Sequence, residues 1–323
     1  MNRGTLTGCL VGLAIVLCCP SVQADSGTTQ VLPTELAKLD GVLLALDARS
    51  GEVLLLTGDE ELLKTSLPAG SVIKPFLLVA ASREGRFDFD KQVYCSPHPI
   101  EAPPTMRCWL AEGHGIVDLP KALAQSCNVY FFEVARKTSY SGFCRTLNDF
   151  GLDVPEPGDD HISLLTGLDP ALRARPGDVL CAYMALFNGG LLWSYDPGAP
   201  RSGARMTGKV DLDGVDLQAM RKGLALAVQS GTAKAVGALN PGMDAVAKTG
   251  TARYSLDGIE DVSRTHGWCI VLAPADEPKV GLVVFVREGT GFSSSAELAG
   301  RALRYLARQG LVEDSGATDT PGQ

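Results

Sequence analysis

The chain has 323 residues, 45% hydrophobic and 20% charged, a balance that suits a globular enzyme and excludes a disordered or fibrous protein. A formal net charge of −8 and the lack of any Lys/Arg run exclude a non-specific nucleic-acid binder, which needs a basic face to collect phosphates. In chain order, the first segment to stand out is the N-terminus. Arg3 is the only charge before Asp25, Leu10 to Cys19 is continuously apolar, and Val22-Gln23-Ala24 offers the small residues of a cleavage site. An apolar core of roughly ten residues falls short of the ~20 that span a bilayer. A cleaved signal peptide over 1–24 is therefore expected, with export to the periplasm or cell surface and no stable membrane span afterwards.

Residues 41–47 and 52–56 are apolar runs separated by Ala48-Arg49-Ser50-Gly51, which predicts a hairpin. Helices are predicted over 71–82, 119–136 and 178–187, the last stopped by Asn188-Gly189-Gly190. A further helix is predicted over 217–229, then strands over 245–253, 267–273 and 280–287, and a final amphipathic helix over about 295–308. Strands at both ends and helices between them predict an α+β fold. Its antiparallel sheet is built from both chain ends and flanked by helices, with a mostly helical second lobe. The expected boundaries are one domain over 25–311, with a sheet lobe of about 25–74 and 211–311 and a helical lobe of about 75–210. A disordered tail is expected over 312–323. The cleft between the lobes is the expected place for chemistry.

Three of the nine cysteines, Cys9, Cys18 and Cys19, fall in the leader. Cys95 and Cys108 flank a Pro-rich loop, where a disulfide would stabilise by ~3 kcal/mol in the chain-entropy model. Small buried residues are the alternative reading, and spacing leaves connectivity open. The cysteines lack repeated Cys-x-x-Cys spacing and the four histidines are scattered, so no metal is expected.

Ser71-Val72-Ile73-Lys74 places a lysine within reach of a serine hydroxyl three residues earlier on a helix. The apolar residues after Lys74 would desolvate it and lower its pKa, as a base for serine requires. Alone, a Ser three before a Lys occurs by chance roughly once in a chain of this size. Ser126-Cys127-Asn128 follows on a helix, where a polar kink or a cap would also explain it. Lys248-Thr249-Gly250-Thr251 follows on a strand, where it offers a cation, two hydroxyls and room for close backbone approach. An outward-turning surface strand would also account for it.

Each of the three occurs once, in the order and on the element types of active-site serine enzymes that act on penicillins. Together with Leu67-Pro68-Ala69-Gly70, Cys108-Trp109, His114-Gly115, Ala182 to Gly190, Ser230-Gly231-Thr232-Ala233 and His266-Gly267-Trp268, they make the chain from about 41 to 306 resemble the transpeptidase domain of class B penicillin-binding proteins. The resemblance implies Ser71 as nucleophile toward D-Ala-D-Ala stem peptides of peptidoglycan and toward β-lactams, with Lys74 as its base. It implies Ser126 as proton relay, held by Lys74 and Lys248, and Asn128 on the substrate amide. Thr249 and Thr251 would hold the terminal carboxylate, Gly250 would admit the ligand backbone, and the N–H groups of Ser71 and Thr251 would form the oxyanion hole. No cofactor is implied, and cell-wall synthesis proteins are the implied partners. His266 and Cys127 are expected to pack rather than to react. Hydrolytic relatives, a D,D-carboxypeptidase or a β-lactamase, are one alternative, and a non-catalytic penicillin-binding scaffold is another.

Overall fold

β1 (Gly41–Asp47) and β2 (Val53–Gly58) form the expected hairpin. Its turn is closed by the Asp47 carboxylate, which accepts from the N–H groups of Arg49 at 2.8 Å and Ser50 at 2.7 Å. β3 (Val246–Leu256), β4 (Ile259–Ala273) and β5 (Val280–Val286) complete a five-stranded antiparallel sheet in the order β2-β1-β5-β4-β3. The first and last parts of the described chain thus meet at the β1–β5 pairing, where Leu43 faces Val284 and Ala45 faces Leu282. This computed structural model describes residue 1 and residues 32–97, 107–157 and 160–312. The expected signal peptide lies outside the described residues, as does the expected tail from 313 onward.

Both faces of the sheet are buried, which explains why its strands read as continuous apolar runs. Along β5, Val280, Leu282 and Val284 pack with Leu303 and Leu306 of the helix Ala296–Arg308, while Val283 and Phe285 pack on the other face with Phe76 and Tyr183. Each such Val, Leu or Phe contributes about 1.5–3 kcal/mol by leaving water.

The helices that matter for the site are α1 (Lys74–Glu84), α2 (Leu119–Ala124), α3 (Asn128–Lys137), α4 (Pro176–Phe187), α5 (Leu217–Gln229) and α6 (Ala296–Arg308). Two expectations need correction. Ser71 does not lie on an α-helix: it sits in a 3₁₀ turn, Gly70–Ile73, that feeds into α1. The helix predicted over 119–136 is broken between α2 and α3, where Ser126 takes φ 51°. Its carbonyl is captured by Lys74 and its hydroxyl by Lys248, and these tertiary bonds hold it out of helical geometry. The hairpin of Leu191–Tyr195 and Ala204–Lys209 carried no clear alternation and was not expected. Among the described residues no helix is long and apolar enough to cross a membrane.

Candidate active site

The serine turn is fixed from three sides. Tyr183 of α4 donates to Val72 O at 2.6 Å and stands edge-on to Phe76 of α1, with centroids 5.3 Å apart. Trp268 of β4 donates from Nε1 to Pro68 O at 2.9 Å. On the third side, a Cβ added to Gly250 of β3 would lie 2.8 Å from Val72 Cγ1 and 3.2 Å from Ala69 O. This corrects the expectation for Gly250: its missing side chain makes room for the protein's own serine turn, not for a ligand backbone. Gly70, at φ 60°, brings the turn against Thr251, where a Cβ would lie 2.9 Å from Thr251 O. The chain just before Ser71 and the backbone of Thr251 are thereby neighbours.

Beneath the serine lies a buried network centred on Ser126. Lys74 Nζ donates to Ser126 O at 2.9 Å, to Asn128 Oδ1 at 2.8 Å and to Ser126 Oγ at 3.4 Å. Lys248 Nζ donates to the same Ser126 hydroxyl at 2.9 Å and to Thr249 O at 2.7 Å. Both lysines have no exposed surface. Burial lowers Lys74 to about 8, against a smaller opposing pull from Cys108 and Cys127. Burial lowers Lys248 well below its ordinary value, and the charge of Lys74 lowers it further. One hydroxyl therefore serves two amines, at least one of which is readily neutral. Ser71 itself is half-buried and makes no side-chain hydrogen bond to another described residue, which leaves its hydroxyl available.

A cavity of about 380 Å³ is lined by Ser71, Ser126, Asn128, Thr232, Thr249 and Thr251, with Trp109, Leu168 and Phe292 as its apolar part. Asn128 gives its amide oxygen to Lys74, so its NH₂ remains for a ligand in the cavity. Thr249 donates to Thr232 Oγ1 at 2.6 Å. Thr251 Oγ1 accepts from Gly291 N at 3.1 Å, and its own O–H stays free to donate. Thr232, within the Ser230–Ala233 stretch that carried the resemblance, and Phe292 had no assigned role from the sequence. A second hollow of about 660 Å³, lined by Arg107, Asp160, Asp169 and Arg253, shares Trp109, Asn128, Leu168 and Thr251 with the first.

His266 is fully buried, stacked on Tyr254 at 4.6 Å. Its Nε2 accepts from Ser255 N at 3.0 Å, so Nδ1 carries the proton toward Arg287 O at 2.6 Å. Burial lowers its pKa, and it serves the sheet.

The cysteines correct one expectation and bear on a second. Cys95 and Cys108 are free thiols and form no disulfide. They converge instead with His114 and Cys127, the four ligand atoms lying within 4.8 Å of one another. His114 Nδ1 stands 3.6 Å from Cys95 Sγ and 3.4 Å from Cys108 Sγ. Tetrahedral zinc, with bonds of ~2.3 Å to sulfur and ~2.0 Å to nitrogen, sets such neighbours roughly 3.5 Å apart. The hydrogen bond from Cys127 holds Cys108 well below an ordinary thiol and pushes Cys127 up. Asn128 N also donates to Cys108 Sγ at 3.3 Å. A Cys₃His set with one thiolate already favoured fits a soft divalent cation such as zinc. Such an ion would be structural, fastening Cys127 and so the segment between Ser126 and Asn128 to the loop that carries Trp109.

The chain belongs to the penicillin binding protein transpeptidase domain family, whose model matches residues 41–304. Among curated proteins it is 25% identical to the peptidoglycan D,D-transpeptidase MrdA of Acinetobacter baumannii, over 87% of this chain and 52% of that one. The chain spans about half the length of the curated relatives it matches. Among solved structures, Pseudomonas aeruginosa PBP2 in complex with WCK 5153 superposes with a TM-score of 0.68 at 20% identity, covering 88% of this chain and 75% of that one. The complex of PBP2 and MreC from Helicobacter pylori gives 0.65 at 20% identity, with 85% and 61% covered. At this identity the structural likeness speaks to fold.

Proposed function

We propose that the chain is a serine D,D-transpeptidase that acts on D-Ala-D-Ala stem peptides of peptidoglycan and is acylated by β-lactams at Ser71. The observation that carries this is the Ser126 hydroxyl shared by two buried lysines, on a wall of the cavity that Ser71 lines. Lys74, once neutral, donates two hydrogen bonds instead of three and turns its lone pair to the Ser71 proton. Ser71 Oγ attacks the penultimate D-alanine carbonyl, and the N–H groups of Ser71 and Thr251 receive the oxyanion. Ser126 passes the proton to the departing D-alanine amine and draws another through Lys74 and Lys248. The free O–H of Thr251 takes the terminal carboxylate, Thr249 joining it by redirecting the O–H it gives to Thr232, and the NH₂ of Asn128 takes the peptide carbonyl. An amine from a second stem peptide then accepts the acyl group.

No carboxylate or imidazole is among the described residues lining the cavity, so a deacylating water would depend on the same Lys74 and Ser126 as the acceptor amine. Asp160, in the neighbouring hollow, spends its carboxylate on Ser163 N at 3.1 Å and Ser163 Oγ at 2.9 Å. Peptidoglycan stem peptides are cross-linked outside the cytoplasm, so this reading carries export and partnership with cell-wall synthesis proteins with it. The test uses a D-Ala-D-Ala peptide with a D-amino acid acceptor. Free D-alanine and the exchanged peptide should both appear, and both should vanish with Ser71→Ala; no release by the wild-type protein would sink the reading.

A further inference from the structure

Trp109 and Phe292 line the cavity, yet no acyl-transfer step uses them. They remain 48% and 50% exposed, so they stand where the cavity meets solvent. They come from different parts of the chain. Trp109 precedes the short strand Gly115–Val117, and Phe292 lies in the turn Gly291–Ser295 that follows β5. Their rings stack, with centroids 6.0 Å and planes 21° apart.

Each ring is fastened to the machinery beneath it. Trp109 Nε1 donates to the carbonyl of Gln125, the residue before Ser126, at 3.0 Å. Its edge meets His114 at 5.5 Å. The turn holding Phe292 is tied to β3 by the bond from Gly291 N to Thr251 Oγ1. A Cβ on Gly291 would lie 2.4 Å from Gly250 O, so the turn is pressed against the strand. The pair therefore bridges the Ser126 wall and the Thr251 wall.

We infer that Trp109 and Phe292 form an aromatic clasp that shields the acyl-enzyme from water and so sets its partition between amine and water. The inference rests on the acyl-transfer reading of Ser71. Both fates break the same ester C–O bond and return a proton to Ser71 Oγ. Water supplies a C–O bond and yields an acid; an amine supplies a C–N bond and yields an amide. With no group among the described lining residues to activate one nucleophile over the other, discrimination falls to access. Two ring faces offer a water molecule no strong hydrogen bond to orient it, whereas an amine on a peptide brings carbon surface that lies against them. Trp109 and Phe292 are positioning residues in this scheme and touch no transferred proton.

The experiment measures the ratio of hydrolysed to aminolysed product from a thioester acyl donor at a fixed concentration of D-alanine. Wild type is compared with Phe292→Ala, Trp109→Ala and the conservative Phe292→Tyr and Trp109→Phe. Both products descend from one acyl-enzyme, so the ratio is blind to any change in how fast that species forms. The alanine variants should raise the ratio about tenfold and shorten the penicilloyl-enzyme lifetime by a similar factor, the conservative variants restoring both. An unchanged ratio in folded Phe292→Ala or Trp109→Ala overturns the clasp while leaving the serine chemistry intact. A wild-type protein that forms no acyl-enzyme overturns the serine chemistry, and the clasp with it.

Discussion

Lys74 carries the heaviest burden of any single residue. It is fully buried, which lowers it to about 8, and it holds Ser126 and Asn128 together while it is protonated. In the proposed mechanism only its neutral form can take the serine proton. The acylation rate should therefore rise with pH, about tenfold per unit below an apparent pKa near 8, and level off above it. A pH profile of penicillin acylation by stopped-flow checks this; a flat profile between pH 6 and about 9 contradicts it. Lys74→Arg keeps the cation and loses the base, so it should cost roughly 10²–10⁴-fold in acylation at every accessible pH. Ser71, Lys74, Ser126, Asn128 and Lys248 were legible in the sequence because each motif packs its chemistry into a few consecutive residues. The role of Thr232 was not: Ser230-Gly231-Thr232-Ala233 carried the resemblance, but the bond to Thr249 is a tertiary contact that spacing does not reveal.

At the scale of elements, the break between α2 and α3 is the feature that makes the site. Residues 119–136 contain no internal glycine and only Pro120, at the first turn, so local propensity predicts one helix. The break is imposed from outside by Lys74, Lys248 and the cysteine cluster around Cys127. Ser126 at φ 51° is a strained position that glycine would adopt freely. Ser126→Gly should therefore be more stable than Ser126→Ala by about 1 kcal/mol, with both lacking the relay. Urea denaturation of the pair checks this, and equal midpoints would contradict it. The cluster itself was illegible because its ligands lie at 95, 108, 114 and 127, each contributed by a separate turn or strand. A cation held there ties the Ser126 segment to the loop of Trp109. Zinc addition to chelated protein is expected to raise Tm by about 3–8 °C and to restore acylation, with His114→Ala losing both effects. No zinc retained at stoichiometry by elemental analysis would contradict it.

Across the whole molecule, the sheet explains why a site assembled from distant segments holds its geometry. β1 and β5 join the two ends, both faces are buried, and β3 runs beside the serine turn with only Gly250 between them. The antiparallel sheet from both ends was legible because short loops join β1 to β2 and β4 to β5, which forces antiparallel neighbours. The small hairpins and the helices His161–Thr166 and Lys234–Leu239 were not, being short and weakly patterned, whereas Tyr140–Asp149 went unread despite its amphipathic pattern and its Ser139 cap. What this architecture delivers is a Ser71 hydroxyl with no side-chain hydrogen bond, in the same cavity as a Ser126 hydroxyl held by two buried lysines. The most direct test is intact mass of the protein after incubation with benzylpenicillin, beside Ser71→Ala. A single persistent penicilloyl adduct on the wild type and none on the variant is the predicted result. An adduct that survives in Ser71→Ala, or neither adduct nor penicillin turnover by the wild type, would contradict the assignment of Ser71 as nucleophile.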